Sequence, residues 1–172
     1  MTEELLDVYD GDGINTHKFK VRGQKLNRDE FFLVVEIWLV DDDGKILVQK
    51  RSISKASYPS MWAATGGAVR HNETSREGII RETKEELGID LKKVNYIGRI
   101  KRLDIFVDVY YSNVNGFDDS SFEANEEVDA VKWMTLEEIN ELINHGEFVK
   151  SSIITLNFFQ NYLKIPYYME IE

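Results

Sequence analysis

Residues 67–89 read GAVRHNETSREGIIRETKEELGI, and this stretch carries most of the information about fold and function. Within it, Glu82, Glu85 and Glu86 stand at i, i+3 and i+4, a spacing that places three carboxylates on one face of a helix. Carboxylates crowded in this way repel one another unless a cation joins them. Hard oxygen ligands of this kind suit Mg²⁺ or Mn²⁺. The spacing therefore predicts a divalent-metal site and metal-assisted attack on a phosphate-rich substrate.

The residues that flank the acidic trio predict where this helix begins and ends. The segment Thr74–Glu77 has the pattern of a capping box, in which the first and last side chains each bind the backbone of the other. Gly88 stands where a helix commonly ends in a left-handed residue. At about 100° per residue, an apolar set gathers roughly 120° away from the acidic trio. This set consists of Ile79, Ile80, Thr83 and Leu87. We therefore expect one helix face to enter the core and the acidic face to border a cleft.

Taken alone, a charged helix face such as this one is typical of a solvated surface. The complete spacing argues otherwise, because residues 67–89 resemble the Nudix box, G-x5-E-x7-R-E-U-x-E-E-x-G-U, in which U is a bulky apolar residue. Every fixed position matches, and Thr83 at the first U position is the single departure. Threonine still offers a methyl group for packing, so we expect the chemistry of the box to be intact.

The resemblance implies both a fold and a reaction. The expected fold is an α/β/α sandwich with a mixed β-sheet, and the expected reaction is hydrolysis of a diphosphate linkage in a nucleoside diphosphate joined to another moiety X, or in a similar organic diphosphate. By the same resemblance, the metal ligands are the carbonyl of Gly66 and the carboxylates of Glu82, Glu85 and Glu86. The general base is a helix glutamate, with Glu82 as the first candidate, or Glu127 just before a later strand.

Other residues have supporting roles in this interpretation. Arg81 is expected to orient a carboxylate through an ion pair, and Glu73 to support the loop that precedes the helix. Arg70, in the same loop, is a candidate to bind the substrate. Glu123 and Glu126 stay open as further candidates for a base outside the helix.

Length and composition fit one soluble enzyme domain. The 172 residues are 42% hydrophobic, which is enough for one sizeable core. The net charge of -10 and the lack of any Lys/Arg-rich run argue against nucleic-acid binding. The chain has no cysteine, which excludes disulfides, thiolate zinc sites and cysteine nucleophiles and agrees with a reducing cytoplasm. Because its first residues are acidic and no apolar stretch is long enough to span a membrane, we also expect no secretory leader and no membrane span.

We expect a single domain over residues 1–172, with an N-terminal hairpin extension over residues 1–30. An EF-hand loop starting at Asp10 is unsuited to calcium because Ile14 stands at its fifth position, so a simple turn is favoured there.

The alternation over residues 104–111 predicts a strand buried on one face. The predicted elements are a hairpin over 5–22, strands Phe31–Val40 and Lys45–Arg51, a short strand Trp62–Val69, the helix of the box, one long or two paired strands over Asn95–Ser112, a polar loop Gly116–Asn125, a strand Val128–Met134, a helix from Thr135 to near Gly146, and a last helix Lys150–Leu163 that stops before Pro166.

The segment from about Leu6 to Gly67 resembles one branch of the family, which includes isopentenyl-diphosphate isomerase and hydrolases similar to it. The shared features are LDVYDGDG and, later, EIWLVDDDGKILVQKRSISKASYPSMW. In that branch, the residues that match Arg51 and Lys55 contact the substrate diphosphate. A guanidinium fork and a compact ammonium are both suited to phosphate oxygens.

Isomerase activity is disfavoured, because the isomerase moves a proton with a cysteine and this chain has none. The histidines that bind its metal are missing too, and Phe32 stands where one is expected. A non-catalytic nucleotide- or metabolite-binding module is a second alternative, although binding alone does not require the acidic trio. The expected partner is a small-molecule diphosphate. The group X and the number of metal ions stay open. The apolar segment Phe158–Met169 either completes the core, which is favoured, or pairs with another chain in a homodimer.

Overall fold

The computed structural model of the protein describes residues 3–164. Over this range the secondary structure follows the predicted order closely. Its elements are β1 (Leu5–Tyr9), β2 (Asn15–Val21), β3 (Phe32–Val40), β4 (Ile46–Arg51), β5 (Trp62–Ala63), β6 (Thr65–Ala68), α1 (Ser75–Leu87), β7 (Asn95–Arg102), β8 (Ile105–Asn113), a short 3-10 helix (Asp119–Ser121), β9 (Val128–Met134), α2 (Leu136–Asn144) and α3 (Lys150–Lys164). Among the helices of this range, none combines the length and the apolar character needed to cross a membrane.

Contacts group the described chain into two compact units, and the first contains the box. This unit comprises the described part of Met1–Ile37 together with Ala64–Ser112. Strands β1 and β2 form an antiparallel hairpin, as predicted. The unit's part of the sheet has the order β6, β3, β8, β7, and α1 packs on β6. Its core is formed by Leu33, Val35, Ile37, Ile79, Val107 and Val109, all of which are at most 3% exposed.

The second unit comprises Trp38–Ala63 and the described part of Asn113–Glu172. Strand β4 pairs antiparallel with the end of β3, with β5 and with β9. The rings of Trp38 and Phe159 stack with centroids 6.2 Å apart, which ties α3 to β3. The continuation of the apolar carboxyl-terminal segment, including Pro166, lies outside the described residues.

The sheet is mixed, as expected for the α/β class. Strands β3 and β8 run in the same direction, because the N–H of Phe32 bonds to the carbonyl of Asp104 where both begin, and the N–H of Val114 bonds to the carbonyl of Val40 where both end. The other ladders of the described strands are antiparallel. The predicted α/β class with an N-terminal hairpin is therefore confirmed.

One predicted strand is in fact two. The segment Trp62–Val69 was expected to be continuous, but β5 ends at Ala63 and β6 begins at Thr65. The reason is that the two pieces have different partners: β5 pairs with β4, whereas β6 pairs with β3. The break lets the chain leave one ladder and enter another just before the glycines of the box.

The segment Asn95–Ser112 forms two paired strands, β7 and β8, which resolves the open alternative. The expectation that its second half is buried on one face only was wrong. Phe106, Asp108 and Tyr110 on one side of β8 are as buried as Val107 and Val109 on the other. A carboxylate at such a position needs a partner, and both Nε and Nη2 of Arg99 donate to Asp108, at 2.6 and 2.9 Å.

The acidic turn of the N-terminal hairpin is a simple turn, as predicted. The Asp10 side chain accepts hydrogen bonds from the N–H groups of Asp12 and Ile14, at 3.0 and 2.9 Å. A carboxylate that caps its own loop in this way is the usual reason for aspartate at such a site.

Gly66 lies where strand β6 approaches β3 most closely, which makes it a test of this packing. A Cβ atom at position 66 would come closer than 3.0 Å to the carbonyl oxygen of Val35, whose backbone has no room to give. We expect Gly66→Ala to lower the free energy of unfolding by about 2 kcal/mol or more. Gly11→Ala is the matched control, because its added Cβ would meet only the end of the Lys101 side chain at 3.6 Å. Urea denaturation measures both, and equal stabilities would contradict the packing described.

Candidate active site

Helix α1 has the predicted caps at both ends. At its start, Thr74 Oγ1 accepts the N–H of Glu77 at 3.2 Å, and Glu77 Oε2 accepts the N–H of Thr74 at 2.8 Å. At its end, Gly88 has φ of 70° and its N–H bonds to the carbonyl of Lys84. Thr83, the departure from the family pattern, is fully buried, and its hydroxyl donates to the Ile79 carbonyl at 2.7 Å. A local partner for the hydroxyl lets threonine serve as a core residue here.

The acidic trio is less open than expected. Glu82 and Glu86 are 9% and 2% exposed, whereas the Glu85 side chain is 44% exposed. The sequence predicted that all three carboxylates face a cleft, and of the three only Glu85 has an exposed side chain. The helix face that carries Glu82 and Glu86 is buried instead, against strand β6.

Two glycines of β6 make this burial possible. The N–H of Gly66 donates to Glu86 Oε2 at 3.2 Å. A Cβ on Gly67 would lie closer than 3.0 Å to the carboxylate of Glu82. Only a residue without a side chain leaves room for such an approach, so the glycine that opens the box is required by the packing of Glu82.

Arg81 holds several of these carboxylates in place. Its guanidinium donates to both oxygens of Glu73 at 2.7 and 2.8 Å, to Glu82 Oε1 at 2.7 Å and to Glu85 Oε2 at 3.0 Å. It also donates to the carbonyl of Ala68 at 3.0 Å. The predicted ion pair of Arg81 is therefore present, with three glutamates rather than one.

Proton affinities within this network follow from burial and charge. Burial acts to lower the pKa of Arg81, but the hydrogen bonds of Glu73 and Glu82 raise it above the ordinary arginine value. Burial acts to raise the pKa of Glu73, but the hydrogen bonds and charge of Arg81 outweigh it and hold that pKa below 4.5. Glu73 also accepts the N–H of Arg70 at 2.9 Å, which is the predicted support of the loop.

Arg70, expected to bind substrate, has acidic neighbours on two sides. Its Nε donates to Glu4 Oε1 at 3.1 Å, and its terminal nitrogens approach the Glu85 carboxylate at 3.4 and 3.5 Å. Within the first unit, the structure thus brings together Gly66, Arg70, Glu82, Glu85 and Glu86.

The remaining candidates lie together in the second unit. Lys55 Nζ donates to Glu127 Oε2 at 2.6 Å, and the Glu127 carbonyl accepts the N–H of Ser52 at 2.8 Å. Arg51 uses its Nε to bind the carbonyl of Ser57 at 3.0 Å. The two basic residues and the later candidate base are therefore joined through the loop of residues 52–57, which contains Lys55 and follows Arg51.

Sequence reasoning missed two acidic residues of the first unit, Glu4 and Asp7. Glu4 binds Arg70, and Asp7 contacts His71 and Asn72 of the loop before α1. No local signal identified them, because more than 60 residues separate each from its partner.

The donor chemistry of the first unit fits a hard divalent cation. The acidic trio lies on α1, which packs on strand β6, and carboxylate and backbone carbonyl oxygens are the ligand types that Mg²⁺ and Mn²⁺ prefer. In the arrangement described for residues 3–164, however, no three acidic or histidine side chains converge as a ready-made metal cluster. Arg81 lies among the carboxylates instead, so a metal would need the contacts of Glu82 and Glu85 with Arg81 to loosen.

Comparison with known proteins agrees with this geometry. The NUDIX domain family model matches residues 30–154. An uncharacterized Nudix hydrolase of Listeria innocua is 33% identical over 147 residues, which cover 78% of this chain and 81% of that protein. Another, from Nostoc sp., is 30% identical over 166 residues and covers 89% of this chain and 93% of that protein. The chain therefore belongs to the Nudix family, as an enzyme of the Nudix hydrolase class with a pyrophosphohydrolase-type function.

The resemblance to the isomerase branch is also found. The isopentenyl-diphosphate Delta-isomerase of Salmonella paratyphi B is 36% identical over 95 residues, which cover 53% of this chain and 51% of the isomerase. The likeness is thus confined to about half of each protein.

Solved structures show the same fold. The Deinococcus radiodurans protein DR0079 superposes with a TM-score of 0.75 and 22% identity, over 91% of this chain and 99% of that one. The NUDIX domain of Shewanella oneidensis NrtR, solved with ADP ribose, gives a TM-score of 0.63 and 15% identity over 77% of this chain and 88% of that one. At these identities the comparison supports the fold alone.

The Glu73–Arg81 pair predicts a definite dependence of stability on pH. The pKa of Glu73 in the folded protein lies below 4.5. The Glu73 carboxylate therefore stabilises the folded protein fully at a pH above the pKa that it has in the unfolded chain. This stabilisation is lost as the pH falls through the lower pKa of Glu73 in the folded protein. We expect Glu73→Gln to cost about 2 kcal/mol at pH 7, and the difference from the wild type to shrink as the pH falls below 4.5.

Denaturant unfolding of the wild type and the variant across this pH range measures the effect. Glu141→Gln is the matched control, because it makes the same chemical change on an exposed position of α2 and should change stability by less than about 0.5 kcal/mol. A Glu73→Gln difference that stays constant with pH would show that the carboxylate charge is not what stabilises the loop.

Proposed function

We propose that this Nudix hydrolase depends on Mg²⁺ or Mn²⁺ and cleaves the diphosphate linkage of a small molecule, such as a nucleoside diphosphate joined to a group X. The observation that carries the proposal is the burial of Glu82 and Glu86 against the two glycines of β6. Burying two carboxylates on one helix face costs free energy that cations must offset. Arg81 offsets part of this cost at Glu82, and in this proposal a divalent cation bound by both carboxylates adds to it.

The metal ligands in this proposal are the carbonyl of Gly66 and the carboxylates of Glu82, Glu85 and Glu86. The backbone direction of β6 supports the first of them. In an antiparallel strand, the N–H and C=O of one residue point to the same side. Since the N–H of Gly66 points to Glu86, its carbonyl also points towards α1, away from β3. A bound Mg²⁺ would orient the diphosphate, neutralise charge on its oxygens and lower the pKa of water.

The reaction also needs a general base from the protein, and two glutamates are candidates. Glu82 is our first candidate for the general base, and its Oε1 is held in one direction by Arg81 at 2.7 Å. Glu127 is the second candidate, and its carboxylate is engaged with Lys55 at 2.6 Å. Either carboxylate must be released from its basic partner before it accepts a proton, Glu82 from Arg81 and Glu127 from Lys55.

Binding of the diphosphate is assigned to Arg51, Lys55 and Arg70. The charge of these residues is needed because the chain has a net charge of -10, and a polyanionic substrate is repelled without local cations. When substrate binds, Lys55 would leave Glu127 and Arg70 would leave Glu85, and both basic side chains would contact substrate oxygens instead.

An isomerase remains the weaker alternative. The 36% identity to an isopentenyl-diphosphate isomerase favours it, but the chain lacks the cysteine that this mechanism uses. Isoprenyl diphosphates therefore belong in the substrate screen, as do ADP-ribose, other nucleotide sugars, dinucleotides and nucleoside triphosphates. ADP-ribose is included because it is bound by a protein with the same fold.

The test is a screen of these compounds with and without Mg²⁺, with products identified by mass. We expect metal-dependent cleavage that falls by about two orders of magnitude or more in Glu86→Gln, because the amide cannot supply a charged ligand. Folding should be retained, since a glutamine oxygen can still accept the N–H of Gly66. The exposed variant Glu141→Gln is the control and should keep full activity. Near-normal turnover of Glu86→Gln would overturn the metal assignment, and isomerised product without hydrolysis would favour the alternative.

A further inference from the structure

The N-terminal hairpin of the first unit is joined to the loop that leads into α1. Leu6 forms a backbone bridge with Arg70, and the N–H of His71 donates to the carbonyl of Leu5 at 2.8 Å. Strand β1 therefore continues its pairing onto the box loop, which we define as residues 67–74.

A buried carboxylate lies at this junction. Asp7 is 6% exposed, and its Oδ1 is 2.5 Å from His71 Nδ1. Its Oδ2 accepts the backbone N–H of Asn72 at 3.3 Å and the side-chain amide of Asn15 at 3.2 Å. Asn72 has φ of 64°, a left-handed conformation that side-chain-bearing residues adopt at a cost. Asp7 thus binds two successive residues of the box loop at the point where its backbone is strained.

A continuous series of contacts leads from this loop to the acidic helix. The loop positions Glu73, which accepts the N–H of Arg70 at 2.9 Å. Glu73 binds the Arg81 guanidinium at 2.7 and 2.8 Å, and Arg81 binds Glu82 at 2.7 Å. A shift of the loop would therefore move Glu73, and with it the arginine that sets the direction of Glu82.

The N-terminal hairpin is fixed to the rest of the first unit by hydrogen bonds of its own. The Arg99 side chain donates to the carbonyl of Gly13 at 2.9 Å, and Lys101 donates to that of Gly11 at 2.5 Å. Tyr9 also forms a backbone bridge with Phe31, next to the start of β3. A second acidic residue, Glu4, directly precedes β1 and binds Arg70, so it adds to the Asp7 contact with the box loop.

We propose that Asp7 is a positioning residue for the hydrolase reaction: through His71 and Asn72 it fixes the box loop, and thereby Glu73, Arg81 and Glu82. This inference rests on the proposed function. It differs from a purely structural role because a structural residue would affect the amount of folded protein, whereas a positioning residue affects the turnover of the folded enzyme. Partners of this kind behind metal-binding residues typically contribute about 10- to 100-fold to metal affinity or activity.

The experiment compares Asp7→Ala, Asp7→Asn and His71→Gln with a hairpin control, Thr16→Val. The control removes the hydrogen bond from Thr16 Oγ1 to the Val8 carbonyl, at 2.7 Å, and leaves the box loop contacts in place. For Asp7→Ala we expect kcat to fall about 10- to 100-fold and half-maximal activity to need more Mg²⁺, with KM changed less than about threefold. Asp7→Asn keeps one acceptor oxygen, so it should recover part of the loss. Thr16→Val should keep wild-type kcat.

A second readout keeps the inference separate from the proposed function. Amide hydrogen exchange at Asn72 and Glu73 should be faster in Asp7→Ala and in His71→Gln, and unchanged in Thr16→Val. His71→Gln serves as the test if Asp7→Ala does not fold, since the imidazole is 28% exposed and tolerates replacement better.

The outcomes are distinct. Wild-type kcat in folded Asp7→Ala, or equal loss of kcat in Thr16→Val, would overturn the positioning role. If the wild type shows no metal-dependent hydrolysis, the proposed function fails. In that case the exchange rates, together with Mn²⁺ binding to the same variants, decide whether Asp7 still orders the loop and the acidic helix. Unchanged exchange and unchanged Mn²⁺ affinity would reject the inference.

Discussion

The Arg81 guanidinium, placed among Glu73, Glu82 and Glu85, is the interaction on which the candidate active site depends. A helix that buries two carboxylates against a sheet is unfavourable unless a cation compensates them. Arg81 supplies that cation for Glu82 from the same helix, and its guanidinium also binds Glu73 of the loop and the Ala68 carbonyl of the strand. Arg81 thereby connects the loop before α1, the helix itself and strand β6.

Close approach between backbone and carboxylates is the second constraint. The glycines at 66 and 67 allow β6 to lie directly against Glu86 and Glu82. The break between β5 and β6 precedes these glycines and lets the chain change ladders. The site is thus a consequence of strand geometry as much as of the acidic residues.

Local elements could be predicted because their causes are local. The capping box at Thr74 formed as its sequence indicated, since it needs only residues three positions apart. The burial of Glu82 and Glu86 could not be predicted, because helical spacing says which residues share a face and not what covers it. The same limit applies to β8, whose second face is also buried and carries Asp108, which Arg99 neutralises.

The sequence by itself determined the family, the α/β class and the acidic helix, because motif spacing and periodicity are properties of neighbouring residues. The domain assignment and the roles of the site residues stay predictions. Only the tertiary structure decided that Arg81 binds three glutamates at once and that Asp7 reaches a loop 64 residues away. Such contacts depend on how distant strands pair, and pairing is set by the packing of the whole first unit rather than by any short stretch of chain.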